Sequence, residues 1–151
     1  MMGRPIVLSS SGYEFLEHTA DAYIAAYGGS LAEAFENAAK AMFDTMSYLE
    51  KVEGKDEESL EVSARDEEAL LYSWLEELLL RFEIENRLYS RFRIDSIEKT
   101  SQGYTLRAKV WGEPFDPVKH GSKTDVKAVT YHRMEILRQG SKVTIKYILD
   151  I

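Results

Sequence analysis

Residues 22–46 read AYIAAYGGSLAEAFENAAKAMFDTM, and a change of rhythm inside this stretch decides the fold. Ala22 to Tyr27 is strand-like, and Gly28-Gly29 would end any strand. Ser30 is then placed to cap a helix, with Glu33 three residues on to complete a capping-box pattern. From there Leu31, Ala34, Phe35, Ala38, Ala39, Met42, Phe43 and Met46 recur at i, i+3, i+4 and i+7, which lines one face of a helix over 31–47. That stripe is too wide for an isolated surface helix, so it predicts a sheet to pack on.

A second helix is expected over 67–84. Asp66 precedes it, Glu67 and Glu68 suit the positive end of its dipole, and Leu71, Trp74, Leu75, Leu78, Leu79 and Phe82 share one face. Elsewhere the period is two: Leu60, Val62 and Ala64; Phe92 and Ile94; Tyr104, Leu106, Ala108 and Val110; Val143, Ile145, Tyr147 and Leu149. Tyr13 to Glu17 is also strand-like. Thr100 to Gly103 and Gln139 to Ser141 should each close a hairpin. Val126 to Leu137 reads as one longer extended segment, Glu53 to Glu58 as a solvated loop, and Glu113 to Pro117 as a proline-stiffened turn leading into a mobile Gly121 to Lys123. The order β-β-α-β-α followed by a run of β gives an α+β class, a largely antiparallel sheet packed with two main α-helices.

The chain has 151 residues, 44% of them hydrophobic, enough for one core. It has no cysteine, which excludes thiolate zinc sites, iron–sulfur clusters and cysteine nucleophiles. No apolar run approaches the roughly 20 residues of a membrane helix, and Met1 to Ser11 lacks the marks of a signal peptide, so a soluble cytoplasmic protein without a membrane partner is expected. Residues 1–98 carry 9 Lys and Arg against 21 Asp and Glu, whereas residues 99–151 carry 10 against 5. The net charge of −7 opposes autonomous RNA binding. Either the basic half forms a face that helps a partner hold RNA, or the two halves mix in space.

Few residues carry a chemical signature. His18, His120 and His132 share no helical pairing, and no HExxH, EF-hand, P-loop, GxGxxG or GxSxG pattern occurs. Asp21 ends a His18-Thr19-Ala20-Asp21 junction between two strands, where it can cap a turn or bind a metal. At the other end, the strand Val143 to Leu149 runs directly into Asp150 and Ile151, setting a side-chain carboxylate beside an α-carboxylate. If Asp21 folds close by, three oxygen donors converge, a composition that suits Ca²⁺ or Mg²⁺. In the extended segment, Lys127 and His132 have opposite parity and should point to opposite faces, with Lys127, Val129 and Tyr131 sharing one. His132 reads first as a satisfied histidine at a sheet surface. A metal-dependent phosphoesterase using the same carboxylates, with His18 as the nearby base, and a plain interaction or chaperone module are the alternative functions.

Five segments together resemble the archease family: Tyr13 to Asp21 (YEFLEHTAD), Ser30 to Phe35 (SLAEAF), Glu68 to Leu75 (EALLYSWL), Lys127 to His132 (KAVTYH) and the final Asp150-Ile151. The resemblance runs from about Tyr13 to Ile151, leaving 1–12 as an N-terminal extension and 13–151 as a single archease-like domain. It implies an SHS2-type α+β fold and a non-catalytic protein cofactor of an RtcB-type RNA ligase. Such a cofactor promotes ligase guanylylation and multiple turnover in tRNA splicing, meeting tRNA only through the ligase. It also implies a divalent ion, usually taken as Ca²⁺, on Asp21, Asp150 and Ile151. Lys127, with Asp21 and Asp150, would activate the partner, and His18 and His132 would be accessory positions. One departure is visible: after the HTAD motif the family commonly continues with an aliphatic residue and glycine, whereas this chain has Ala22-Tyr23.

Overall fold

The structure, a computed structural model, describes residues 12–16 and 21–151. Among the described residues, eight strands and three α-helices follow one another as β1 (Tyr13–Leu16), β2 (Ala22–Gly28), α1 (Leu31–Met46), β3 (Asp56–Ala64), α2 (Glu67–Glu85), β4 (Arg87–Thr100), β5 (Gly103–Pro114), α3 (Pro117–His120), β6 (Ala128–Val129), β7 (Glu135–Gln139) and β8 (Lys142–Asp150), with a short 3-10 turn, Leu49–Lys51, after α1. They make an α+β fold with two antiparallel sheets. One runs β1-β2-β8, with β6 and β7 both pairing the far edge of β8; the other runs β3-β5-β4. Both helices begin as their sequences predict. The Ser30 hydroxyl accepts from the Glu33 N–H at 3.1 Å, Glu33 reaches back to the Gly29 N–H at 2.6 Å, and Asp66 accepts from the Ala69 N–H at 2.8 Å.

One apolar core joins these layers, drawing Ile24, Phe35, Met42, Trp74, Leu78, Phe92, Leu106 and Ile145 into a single cluster. Helix α1 packs on β2 and β8 of one sheet and on β4 of the other, and α2 covers β3. Two buried donors tie α1 to both neighbours. The Trp74 indole donates to the Phe35 carbonyl at 2.9 Å, and the Tyr147 hydroxyl to the Ala38 carbonyl at 2.6 Å, so each large ring is buried without leaving its polar atom unpaired. Among the described residues no helix is long and apolar enough to cross a membrane.

Four local expectations are corrected. The segment 126–137 is not one strand: β6 is two residues long, Arg133 adopts a left-handed φ of 57°, and Met134 N–H closes a turn onto the Tyr131 carbonyl at 3.1 Å. The period of two therefore stops at β6. Lys127 and Tyr131 are exposed while Val129 is buried, so the three do not share one solvent face, and His132 lies in the turn past β6, where strand parity no longer applies. The stretch Glu53 to Glu58 is only partly loop, because β3 begins at Asp56 and Glu58 is held by Arg81, Arg87 and Tyr89 at 2.9, 2.9 and 2.7 Å. Glu113 and Pro114 belong to β5, with the turn confined to the residues that lead into α3. Lys123 is anchored, its N–H on the Met46 carbonyl at 3.0 Å and its ammonium on the Asp44 carbonyl at 2.8 Å, so a cation from a distant loop closes the carbonyl end of α1.

The charge halves of the sequence mix in space. Arg107 pairs with Glu61 and Glu98, Lys109 with Asp95, Lys119 with Glu53, Lys123 with Asp44 and Arg138 with Glu67, each a cation from the basic half on an acid from the acidic half.

Candidate functional site

The site grows from the register of β2 against β8. Ala22 lies opposite Leu149 in that antiparallel pair. Continuing one step sets Asp21, just before β2, against Asp150, the last residue of β8. Asp21 and Asp150 therefore both lie at this end of the first sheet, its tip. On the far edge of β8, Ala128 pairs with Asp150, and the Lys127 N–H donates to the Asp150 carbonyl at 2.7 Å. Thr130 adds a bond from its hydroxyl to the Ile148 carbonyl at 3.0 Å. Asp150 is thus held by backbone from the β6 side, and its side chain is exposed beside Lys127 and Ile151.

Next to this tip lies a cavity of about 330 Å³ lined by Phe15, Asp21, Tyr23, Asp44, Lys123 and Thr124. Lys123 pairs with Asp44 at 3.0 Å, and the Tyr13 hydroxyl donates to the other Asp44 oxygen at 3.0 Å. Burial, and then the Asp44 carboxylate, push the Tyr13 hydroxyl well above the usual phenol range, so it remains a donor at neutral pH. These residues gave no signal in the sequence, because Asp44 lies on the apolar-rich α1 and its cationic partner is 79 positions away.

The predicted residues divide as follows. Asp21, Asp150, Ile151 and Lys127 converge on one end of the first sheet. His132 is exposed in the turn after β6, where Tyr131 stacks on Tyr72 of α2 at 4.4 Å and Arg133 lies 4.9 Å from the Tyr23 ring. His18 lies outside the described residues. Among the described residues, no three His, Cys, Asp or Glu side chains are grouped to hold a metal. The two aspartates offer only oxygen donors, a composition that suits a hard cation and disfavours zinc. His120, which no motif singled out, is fully buried and bonded to Glu113.

Comparison with known proteins gives one answer. The Archease protein family (MTH1598/TM1083) matches residues 13–151. A protein archease from Sulfurisphaera tokodaii is 46% identical over 139 residues, covering 92% of this chain and 98% of that protein. One from Pyrococcus abyssi is 50% identical over 124 residues, covering 82% and 87%. The solution structure of Methanobacterium thermoautotrophicum protein 1598 superposes with a TM-score of 0.79 at 37% identity, covering 93% of this chain and 99% of that one. The crystal structure of an archease from Thermotoga maritima, described as a possible chaperone, is similar in fold, with a TM-score of 0.58 at 17% identity and coverage of 100% and 98%. With 139 of its residues matched in one continuous span that includes both ends of the β2–β8 tip, this chain belongs to the archease family.

Proposed function

We propose that this protein is a non-catalytic cofactor of an RtcB-type RNA ligase in tRNA splicing. It would hold a hard divalent cation, Ca²⁺ or Mg²⁺, on Asp21, Asp150 and the α-carboxylate of Ile151, and present Lys127 beside it to the ligase active site. The observation that carries this reading is the β2–β8 register, which brings Asp21, just before Ala22, to the Asp150 end of β8, with Lys127 hydrogen-bonded to the Asp150 backbone, in a chain of the archease family. A bound cation supplies charge neutralisation at a point where two or three carboxylates repel. The chain's own residues do the rest. The β-ladder fixes where Asp21 and Asp150 sit, and the Lys127 N–H bond sets the backbone from which its ammonium projects. That ammonium is exposed and suited to contact a phosphate or carboxylate in the partner.

Reconstitution with the cognate ligase, its metal and GTP tests this, following the ligase–guanylate intermediate and the number of joined products per ligase. The wild-type protein should raise both. Lys127→Ala and Asp150→Ala should each lower activation by about tenfold or more, while their melting temperatures stay within about 2 °C of wild type, because both side chains are exposed. Unchanged guanylylation and turnover on adding wild-type protein would overturn the reading. So would hydrolysis of a phosphodiester by the protein alone, which would make the carboxylates an enzyme's metal ligands. Calorimetric titration with Ca²⁺ should show binding that Asp150→Asn weakens.

A further inference from the structure

The outer side of α2 carries a feature that the core does not explain. Leu80 and Ile84 are 40% and 76% exposed, although the residues around them in sequence, Leu78, Leu79 and Phe82, turn inward. Four-residue steps place Tyr72, Glu76, Leu80 and Ile84 along one ridge, roughly 18 Å long at 1.5 Å per residue. At its head Tyr72 donates to Glu76 at 3.1 Å and stacks flat on the exposed ring of Tyr131, with an interplanar angle of 4°. Tyr131 sits in the turn that follows Lys127 and β6, and toward its other end α2 brings Phe82 to a pocket shared with Lys123 and Thr124, which also line the cavity beside the tip, so the ridge runs alongside the tip.

The charge along this helix is one-sided. Helix α2 holds six glutamates and a single basic residue, Arg81. That arginine is occupied inside the fold, with Glu58 and Glu77 each at 2.9 Å. Among the described residues no Lys or Arg pairs with Glu76, Glu83 or Glu85. Glu83 and Glu85 lie in the last turn, where the helix dipole disfavours an anion, and no basic residue in that turn compensates. Local physics opposes acids there, and the core gains nothing from exposed Leu80 and Ile84. An apolar stripe rimmed by carboxylates is complementary to a basic protein surface that offers apolar pockets.

We propose that the Tyr131–Tyr72–Leu80–Ile84 ridge is a docking surface for the basic surface of the RNA ligase, a second contact that anchors the partner while the tip addresses its active site. This rests on the functional reading above. A protein that grips an RNA backbone presents Lys and Arg around its substrate channel, and that rim is the charge the glutamates of α2 match. RNA itself is repelled by them.

The test is calorimetric titration of the cognate ligase with the full-length protein as wild type, Leu80→Lys/Ile84→Lys and Glu76→Lys/Glu83→Lys, together with activation measured against cofactor concentration. All four positions are exposed, and the second pair keeps both apolar residues should the first perturb the helix. Each pair should weaken Kd by about tenfold or more, and added salt should weaken the wild type toward the variants. Activation at saturating cofactor should be unchanged, whereas Lys127→Ala should lower that maximum. Equal Kd for wild type and both pairs overturns the ridge and leaves the functional reading standing. Absence of wild-type binding to the ligase overturns the reading, and the ridge with it. Binding of a single-stranded RNA probe by the protein alone, abolished by Leu80→Lys/Ile84→Lys, would assign the surface to RNA and overturn the proposal.

Discussion

Glu113 is a carboxylate kept charged where water is almost excluded. Burial alone would raise its pKa, but the Glu53 N–H at 2.8 Å, the His120 ring at 2.7 Å and the Lys119 ammonium at 2.9 Å outweigh that effect and hold it at about 2. The Asp116 N–H donates to Nδ1 of His120 at 2.9 Å, which leaves the imidazole proton on Nε2, facing Glu113. A folded pKa below the unfolded value means that the unfolded chain binds the proton first as pH falls. The stabilisation is therefore complete above about pH 4.5 and is lost on descending toward pH 2. It amounts to no more than about 3 kcal/mol, because Lys119 is a third exposed and solvent screens its share. Glu113→Gln should lower stability at pH 7 and flatten the dependence of stability on pH between 2 and 4.5, measured by urea unfolding at stepped pH. Nothing in the sequence marked this cluster. Glu113 stands beside a proline in what reads as a turn, and the N–H that fixes it comes from 60 positions away.

Elements were legible in proportion to how local their causes are. Helices expected over 31–47 and 67–84 run Leu31–Met46 and Glu67–Glu85, since caps and apolar faces are written within a few residues. Both hairpins close where short glycine-containing turns allow, one of them through Gly140 at a φ of 62°. The split of 126–137 into β6 and β7 was not legible, because it depends on what β8 offers: Ala128 and Val129 pair one end of that strand and Glu135 to Gln139 the other. Asp21 and Asp150 could be singled out by residue type, but that they lie at the same end of one sheet follows only from the β2–β8 register. A further constraint sits where β4 and β5 pair irregularly between Tyr89 and Arg91. There the Leu88 carbonyl oxygen lies only 1.8 Å from where a Cβ on Gly112 would be. Backbone on both sides cannot yield cheaply, so Gly112→Ala should cost at least about 2 kcal/mol in a denaturant melt. A loss under about 0.5 kcal/mol would show that the bulge adjusts freely.

Across the whole molecule the two sheets differ in how far the chain must travel to build them. The second sheet is drawn from one continuous stretch, Asp56 to Pro114, with α2 inside it. In the first, β2 meets β8 across at least 115 positions, from Gly28 with Val143 to Ala22 with Leu149. Closing so long a loop costs conformational entropy before any contact repays it, so the three-stranded sheet should form first. Pulse-labelled hydrogen exchange during refolding should find amides of β3, β4 and β5 protected ahead of those in β2 and β8, and simultaneous protection would refute this order. Because Asp21 and Asp150 lie at the end of the β2–β8 ladder, the same order predicts that this end of the first sheet takes shape after the three-stranded sheet. A chain cut between β5 and β8 would keep every strand of the second sheet but lose the partner that β2 needs, so the integrity of the first sheet reports that two segments far apart in the chain have both been kept and joined.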